Sequence, residues 1–234
     1  MYVYDVIGLD PWTGGGVTAK KVIDDLAALT GVTALDVRVN SPGGDVFDGI
    51  AIYNALTRFA GDVTVHVDGL AASAASIVAM AGGRTLVAEN AMMMIHRPWT
   101  TCSGDAADMK HTAATLEKAW TGLLATYARR TGRRAATFEQ RVADSGGEWW
   151  LTAEEAVAEG LADAVETPPS SGVKAFGLSR FQRVPERLAA SAEKDAAAPR
   201  QSTPIVLEIA TPRVVRVDRA AQRRREVELL RAQI

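Results

Sequence analysis

An α/β fold built around a largely parallel sheet is what this sequence predicts, and three observations carry the prediction. Short β-rich segments alternate with segments of helical periodicity, the pattern of repeated βα units. The segment "ALDVRVNS" (34–41) puts Leu35, Val37 and Val39 on alternate positions, with polar residues between them, as a strand requires. Glycine-rich turns and glycine stops punctuate the boundaries, with Gly132 and Gly160 each following a helical run.

The elements follow in order. "YVYDVIGL" (2–9) reads as a strand, and "VTAKKVIDDLAALT" (17–30) as a helix with Val22, Leu26 and Leu29 at helical spacing. After the strand at 34–41 comes a helix, "VFDGIAIYNALTRFA" (46–60), then a strand, "DVTVHVDG" (62–69), and a short helix, "SAASIVAMAG" (73–82). "RTLVAEN" (84–90) and "AMMMIH" (91–96) are strands. Residues 104–132 form one long helix ended by Gly132. In "LTAEEAVAEG" (151–160), Thr152 and Glu155 have capping-box spacing and Gly160 is the stop.

Charge divides the chain. Residues 1–165 hold 13 Lys+Arg and 20 Asp+Glu, whereas residues 166–234 hold 13 and 8. Pro168 and Pro169 forbid a continuing helix at the junction. The organisation expected is a compact domain at 1–166, a low-complexity, loosely ordered linker at 167–204, and a basic tail at 205–234. Within the tail, Val227, Leu230 and Ile234 share one helical face beside a cluster of arginines, the pattern of a short docking helix. The net charge of −2 gives no electrostatic reason to expect a nucleic-acid or membrane partner. The N-terminus lacks the basic and apolar regions of a signal peptide, and no apolar run is long enough to span a bilayer. One cysteine, Cys102, excludes an internal disulfide framework and fits a reducing, cytoplasmic setting.

The search for chemistry is short, because the chain has three histidines. His66 lies between valines in a strand and reads as structural; His111 lies among polar neighbours on the long helix and reads as solvated. His96 ends the apolar strand "AMMMI" and precedes Arg97 and Pro98, so it stands at a strand end, where sites in α/β folds collect. The stretch "VDGLAASAASIVAM" (67–80) carries Ser73 and Ser76 in an otherwise small and apolar run. Either serine could simply bond a helix carbonyl, or one of them could be a nucleophile at the start of a buried helix. "VNSPGGDV" follows a strand directly, and its Gly43–Gly44 pair is either a tight strand-to-helix turn or a source of amide donors for a developing negative charge. No phosphate-binding loop, dinucleotide fingerprint or metal-ligand spacing is present. A serine hydroxyl needs a base, the base needs an acid to orient it, and the intermediate needs preorganised donors. These segments supply every role for acyl transfer.

In this order, "NSPGGDVFDGIAIYNAL", "DGLAASAASIVAMAG", "MMMIHRP" and "WWLTAEEAVAEGLAD" resemble the ClpP-like serine peptidases. The phage and prophage head-maturation (prohead) protease branch is the nearest fit. The resemblance spans roughly residues 1–166. It implies the ClpP/crotonase-type α/β fold, a triad of the Ser-His-Asp type, and neither a metal nor an organic cofactor. Ser73 takes the nucleophile position and His96 the base position, with Gly43 or Gly44 and the backbone N–H of Ala74 at the oxyanion hole. Ser76 is then an ordinary helix residue. The chain departs from the family at the acid. The position three residues before "LTAEEA" holds Glu148 instead of Asp. Asp144, four residues earlier in the same loop, is its rival. Trp149 and Trp150 would shield the segment from water.

The function this implies is a serine endopeptidase acting on capsid or scaffold polypeptides during phage head maturation. A general cytoplasmic Clp-type peptidase working with an ATPase unfoldase keeps the chemistry and changes the setting. A crotonase-like acyl-CoA enzyme and a catalytically silent, ring-forming scaffold component are the other classes. The Ser73–His96 pair argues against both. A homo-oligomer, often a ring in this family, is expected from the resemblance and from Met109, Leu116, Trp120, Leu123 and Tyr127 along the long helix.

Overall fold

A computed structural model describes residues 1–10, 14–167, 181 and 183–185. The tail helix expected at 205–234, and most of the linker expected at 167–204, lie outside the described residues.

Among the described residues, seven strands form one sheet. β1 (Tyr2–Tyr4), β2 (Ala34–Ser41), β3 (Asp62–Ala72), β4 (Arg84–Ala88) and β7 (Ala164–Glu166) lie side by side in that order, all parallel. β5 (Met92–His96) and β6 (Glu148–Thr152) branch from it. The branch is made by β3. Its Thr64–Val67 half pairs with β4, and its Leu70–Ala72 end pairs with β5, both parallel. β6 then pairs antiparallel with β5. The described helices that connect the strands are α1 (Ala19–Ala27), α2 (Val46–Thr57), α3 (Ala74–Ala79), α4 (Ala106–Thr131), α5 (Ala135–Asp144) and α6 (Ala153–Ala158).

The alternation read in β2 is the burial pattern observed, with Leu35, Val37 and Val39 at 8%, 0% and 0% exposure. Val63, Val65 and Val67 of β3 join them in a core completed by Ile52 and Leu56 of α2 and Ile77 and Val78 of α3. The opposite face of β2 and β3 carries Asp36, Arg38, His66 and Asp68 at one end. At the other end it carries Leu70 and Ala72, which form a separate apolar cluster with Met92, Met94 and Phe181.

Local signals set several boundaries. Thr152 caps α6 in a reciprocal capping box with Glu155, as the spacing predicts. Gly132 closes α4 in the left-handed conformation, φ 70°. α4 begins at Ala106 because Asp105 and Asp108 form a second capping box there. Other expectations are corrected. The first strand stops at Tyr4, where the Asp5 carboxylate accepts the Val6 N–H at 2.8 Å and turns the chain; Ile7 makes only isolated bridges. β3 runs to Ala72, beyond the expected Gly69. The loop expected to hold Asp144 and Glu148 is instead the end of α5 and the start of β6. The apolar stripe of α4 is largely satisfied inside the subunit. Trp120, Leu123 and Tyr127 are buried, and only Met109 is a large exposed apolar residue on that helix.

Candidate active site

The forked sheet brings Ser73 and His96 together. Ala72 of β3 pairs with Met94 of β5, and the next amide, Ser73 N–H, donates to the Met94 carbonyl at 2.9 Å. His96 ends β5 two residues later. Ser73 lies at the sharp turn from β3 into α3, with φ 54° and ψ −125°. It is the only non-glycine residue with positive φ among those described. A left-handed serine is costly for the backbone and persists where the surroundings fix it. At such a turn the side chain stands clear of the sheet end. The result is a contact of 2.7 Å between Ser73 Oγ and His96 Nε2.

Ser76 has a different environment. It is fully buried, its Oγ donates to the Ser73 carbonyl at 2.6 Å, and it lies 2.7 Å from the Tyr127 hydroxyl. Burial pushes the Tyr127 phenol well above its ordinary range. Ser76 therefore braces the strained turn from inside the core and has no access to a substrate.

The Gly43–Gly44 turn packs directly on that elbow. Gly43 has φ 84°, and a Cβ there would fall 2.6 Å from the Ala72 carbonyl oxygen and 2.7 Å from Ser73 Cβ. No other residue type fits so close an approach. The turn is anchored from behind, because Ile7 N–H donates to the Gly43 carbonyl and Asp45 N–H to the Ile7 carbonyl, each at 2.9 Å. The Gly43 N–H itself donates to Ser41 Oγ at 3.1 Å. Gly44, with Pro42, Val46, Pro98, Trp99 and Phe181, lines a cavity of 160 Å³ that opens on Ser73 and His96. A second cavity of 240 Å³ adjoins it between Phe47, Trp99 and Leu116.

Glu148 opens β6 and is the register partner of His96 across the antiparallel pair. Opposed residues in such a pair share a face, with their Cβ atoms about 5 Å apart. The two side chains therefore lie together, and Glu148 Oε2 accepts the backbone N–H of Arg183 at 2.7 Å. The two tryptophans divide by strand alternation. Trp149 packs inward near Phe138, and Trp150 lies on the outer face against Phe181. Asp144 is elsewhere. It ends α5, exposed, and accepts from Gln140 Nε2 at 2.6 Å.

Two features of this region were not read from the sequence. β6 carries large residues on both faces, so it shows no polar alternation, and the preceding Gly146–Gly147 pair suggested a loop. Phe181 lies in a stretch whose composition suggested a linker, yet it is 7% exposed and forms an edge contact with the His96 ring, centroids 6.0 Å apart. Among the described residues, no group of His, Cys, Asp and Glu could hold a metal ion, and no helix is long and apolar enough to cross a membrane.

Comparison with known proteins adds a family. The Clp protease profile matches residues 16–169. The chain is 34% identical over 133 residues to an ATP-dependent Clp protease proteolytic subunit of Bacteroides fragilis, covering 56% of this chain and 63% of the relative. It is 35% identical over 131 residues to proteolytic subunit 1 of the ATP-dependent Clp protease of Protochlamydia amoebophila, covering 54% and 62%. It is 30% identical over 172 residues to proteolytic subunit 1 of Streptomyces avermitilis, covering 69% and 78%. The chain thus spans less than two thirds of the length of the first two.

Proposed function

Since the chain belongs to the Clp protease family, we propose that it is a serine endopeptidase, with Ser73 as nucleophile, His96 as general base and Glu148 as the acid behind the histidine. The observation that carries this reading is the 2.7 Å contact between Ser73 Oγ and His96 Nε2 at a strained strand-to-helix turn. In the reaction, Ser73 Oγ attacks the scissile carbonyl carbon while its proton passes to His96 Nε2. The Gly44 and Ala74 amides face the developing oxyanion. Gly43 shapes that turn, its own N–H being donated to Ser41. His96 returns the proton to the leaving amine, and water then hydrolyses the acyl-enzyme by the same route in reverse. Glu148, beside His96 across the β5–β6 pair, accepts the other ring N–H and stabilises the imidazolium.

The setting we propose is processing of capsid or scaffold polypeptides by a homo-oligomer, on the strength of the four ordered motifs and their resemblance to the head-maturation branch. The relatives, proteolytic subunits of an ATP-dependent protease, favour a second setting, a peptidase fed by an ATPase partner. Reaction with a fluorophosphonate tests the chemistry, with the adduct expected on Ser73. An adduct on Ser76, or on no serine, would overturn it. Incubation with capsid or scaffold protein, without ATP or an unfoldase, separates the settings. Limited cleavage at defined sites supports the first, and an absolute need for an unfoldase supports the second.

A further inference from the structure

The described residues beyond the family-matched region do not simply trail away from the domain. Phe181 covers the apolar end of the outer sheet face, packed with Leu70, Met92 and Met94. Its ring also makes edge contacts with His96 and Trp150, centroids 6.0 and 5.7 Å away. Two residues on, the Arg183 N–H donates to Glu148 Oε2 at 2.7 Å. The Arg183 guanidinium lies over the turn before Glu148, and Nη1 donates to the Ser145 carbonyl at 3.1 Å. A Cβ at Gly146 would fall 1.5 Å from that Nη1, so the turn is shaped to receive it.

Resting on the triad reading above, we propose that Phe181 and Arg183 are positioning residues of the active site, supplied by the chain beyond the family-matched residues 16–169. They act on Glu148 and on the His96 ring. Glu148 has one more rotatable bond than Asp, and holding a side chain in one rotamer costs conformational entropy. The Arg183 amide fixes one carboxylate oxygen and with it the side-chain rotamer. Phe181 closes the space beside the His96 ring, excluding water from the Glu148–His96 contact, where lower polarity strengthens the pairing. A purely structural role for Phe181 would protect the apolar patch and leave the rate of Ser73 acylation alone.

The test uses the full chain and the rate of fluorophosphonate inactivation, separated into the limiting rate and the half-saturating concentration. Arg183→Pro removes the donated N–H, whereas Arg183→Ala keeps it. The expected result is a limiting rate on the order of tenfold lower for Arg183→Pro, with half-saturation within about twofold, and a clearly smaller loss for Arg183→Ala. Phe181→Ala should fall by a similar factor and Phe181→Leu should recover part of it. In a Glu148→Gln background, Arg183→Pro should add little, because residues acting through one another are not additive. If Phe181→Ala does not fold, the two Arg183 variants decide. Equal rates for those two variants, or a rate that rises when Phe181 is removed, would overturn the inference. A wild-type chain that takes no label at Ser73 would instead overturn the peptidase reading beneath it.

Discussion

Two histidines on this sheet are each approached by a glutamate, and only one of them faces a hydroxyl. His66, in the middle of β3, has Nδ1 3.0 Å from Glu166 Oε1 and Nε2 3.4 Å from Asp36 Oδ1. Next to it lies an ionic group. Arg38 makes a two-pronged contact with the buried Asp68, Nε to Oδ2 at 2.8 Å and Nη2 to Oδ1 at 2.5 Å, and the Tyr4 hydroxyl also donates to Asp68. His96, at the end of β5, keeps Nε2 for Ser73 Oγ and has Glu148 as its strand partner. The residue types are nearly the same, although His66 lies mid-strand and His96 ends its strand. What differs is the second ring nitrogen. His66 has a carboxylate near each ring nitrogen and no hydroxyl to deprotonate; His96 has a hydroxyl at Nε2, the geometry that moving a proton requires.

That contrast can be broken most sharply at the hydroxyl. Ser73→Ala should lower turnover on the order of 10⁴-fold or more while the fold persists, read by peptide hydrolysis and a thermal melt. At the acids the two pairs should diverge. Glu148→Gln is expected to slow the reaction by roughly 10²–10⁴-fold, since the wrong histidine tautomer is then favoured. Glu166→Gln should leave the rate within about twofold, because Glu166 contacts His66 and not the Ser73–His96 pair. Equal losses at the two positions would show that the comparison is wrong. Asp144→Asn, with its carboxylate committed to Gln140, should behave like Glu166→Gln; an inactive Asp144→Asn beside an active Glu148→Gln would transfer the acid's role. Ser76→Ala should keep activity within about tenfold yet cost roughly 1–3 kcal/mol in urea unfolding, as it leaves the buried Tyr127 hydroxyl without that partner.

The smallest effect belongs to the ionic end. Burial, then the hydrogen bond to Asp68, pushes the Tyr4 phenol up to about 12 from an ordinary 10.0. The proton is held more tightly in the folded chain than in the unfolded one. The stability this contributes is therefore present below pH 10 and lost as pH rises through about 12. Thermal midpoints of wild type and Tyr4→Phe should converge across that window. A constant gap would mean that the phenol does not titrate there.

Much of this was legible from residues alone, and the unread parts have physical causes. β2 announced itself because one of its faces is wet, so polar residues alternate with Leu35, Val37 and Val39. The end of β3, "LAA", is buried on both faces, and such a strand loses the alternation that identifies it; β6, "EWWLT", carries a tryptophan on each face and so shows no polar alternation either. Thr152 and Gly132 were readable because their roles are local to one turn of helix. Ser73 and His96 could be named as candidates from a family resemblance, but the contact between them arises from strand pairing across 23 residues. Phe181 and Arg183 gave no local signal, since their significance lies in what they touch.

The fork in β3 has a consequence for how the chain can change length. Ser73 finds His96 only because Ala72 sits opposite Met94. Side chains in a strand alternate with period two, so one residue inserted within 92–96 would turn Ile95 toward the serine and bury the histidine. The same insertion at the exposed residues 99–101 would leave that register untouched. Tolerance to insertion and deletion should therefore fall abruptly at Pro98, and a library of single-residue insertions across 90–105 would trace the edge of the active site with no substrate in hand.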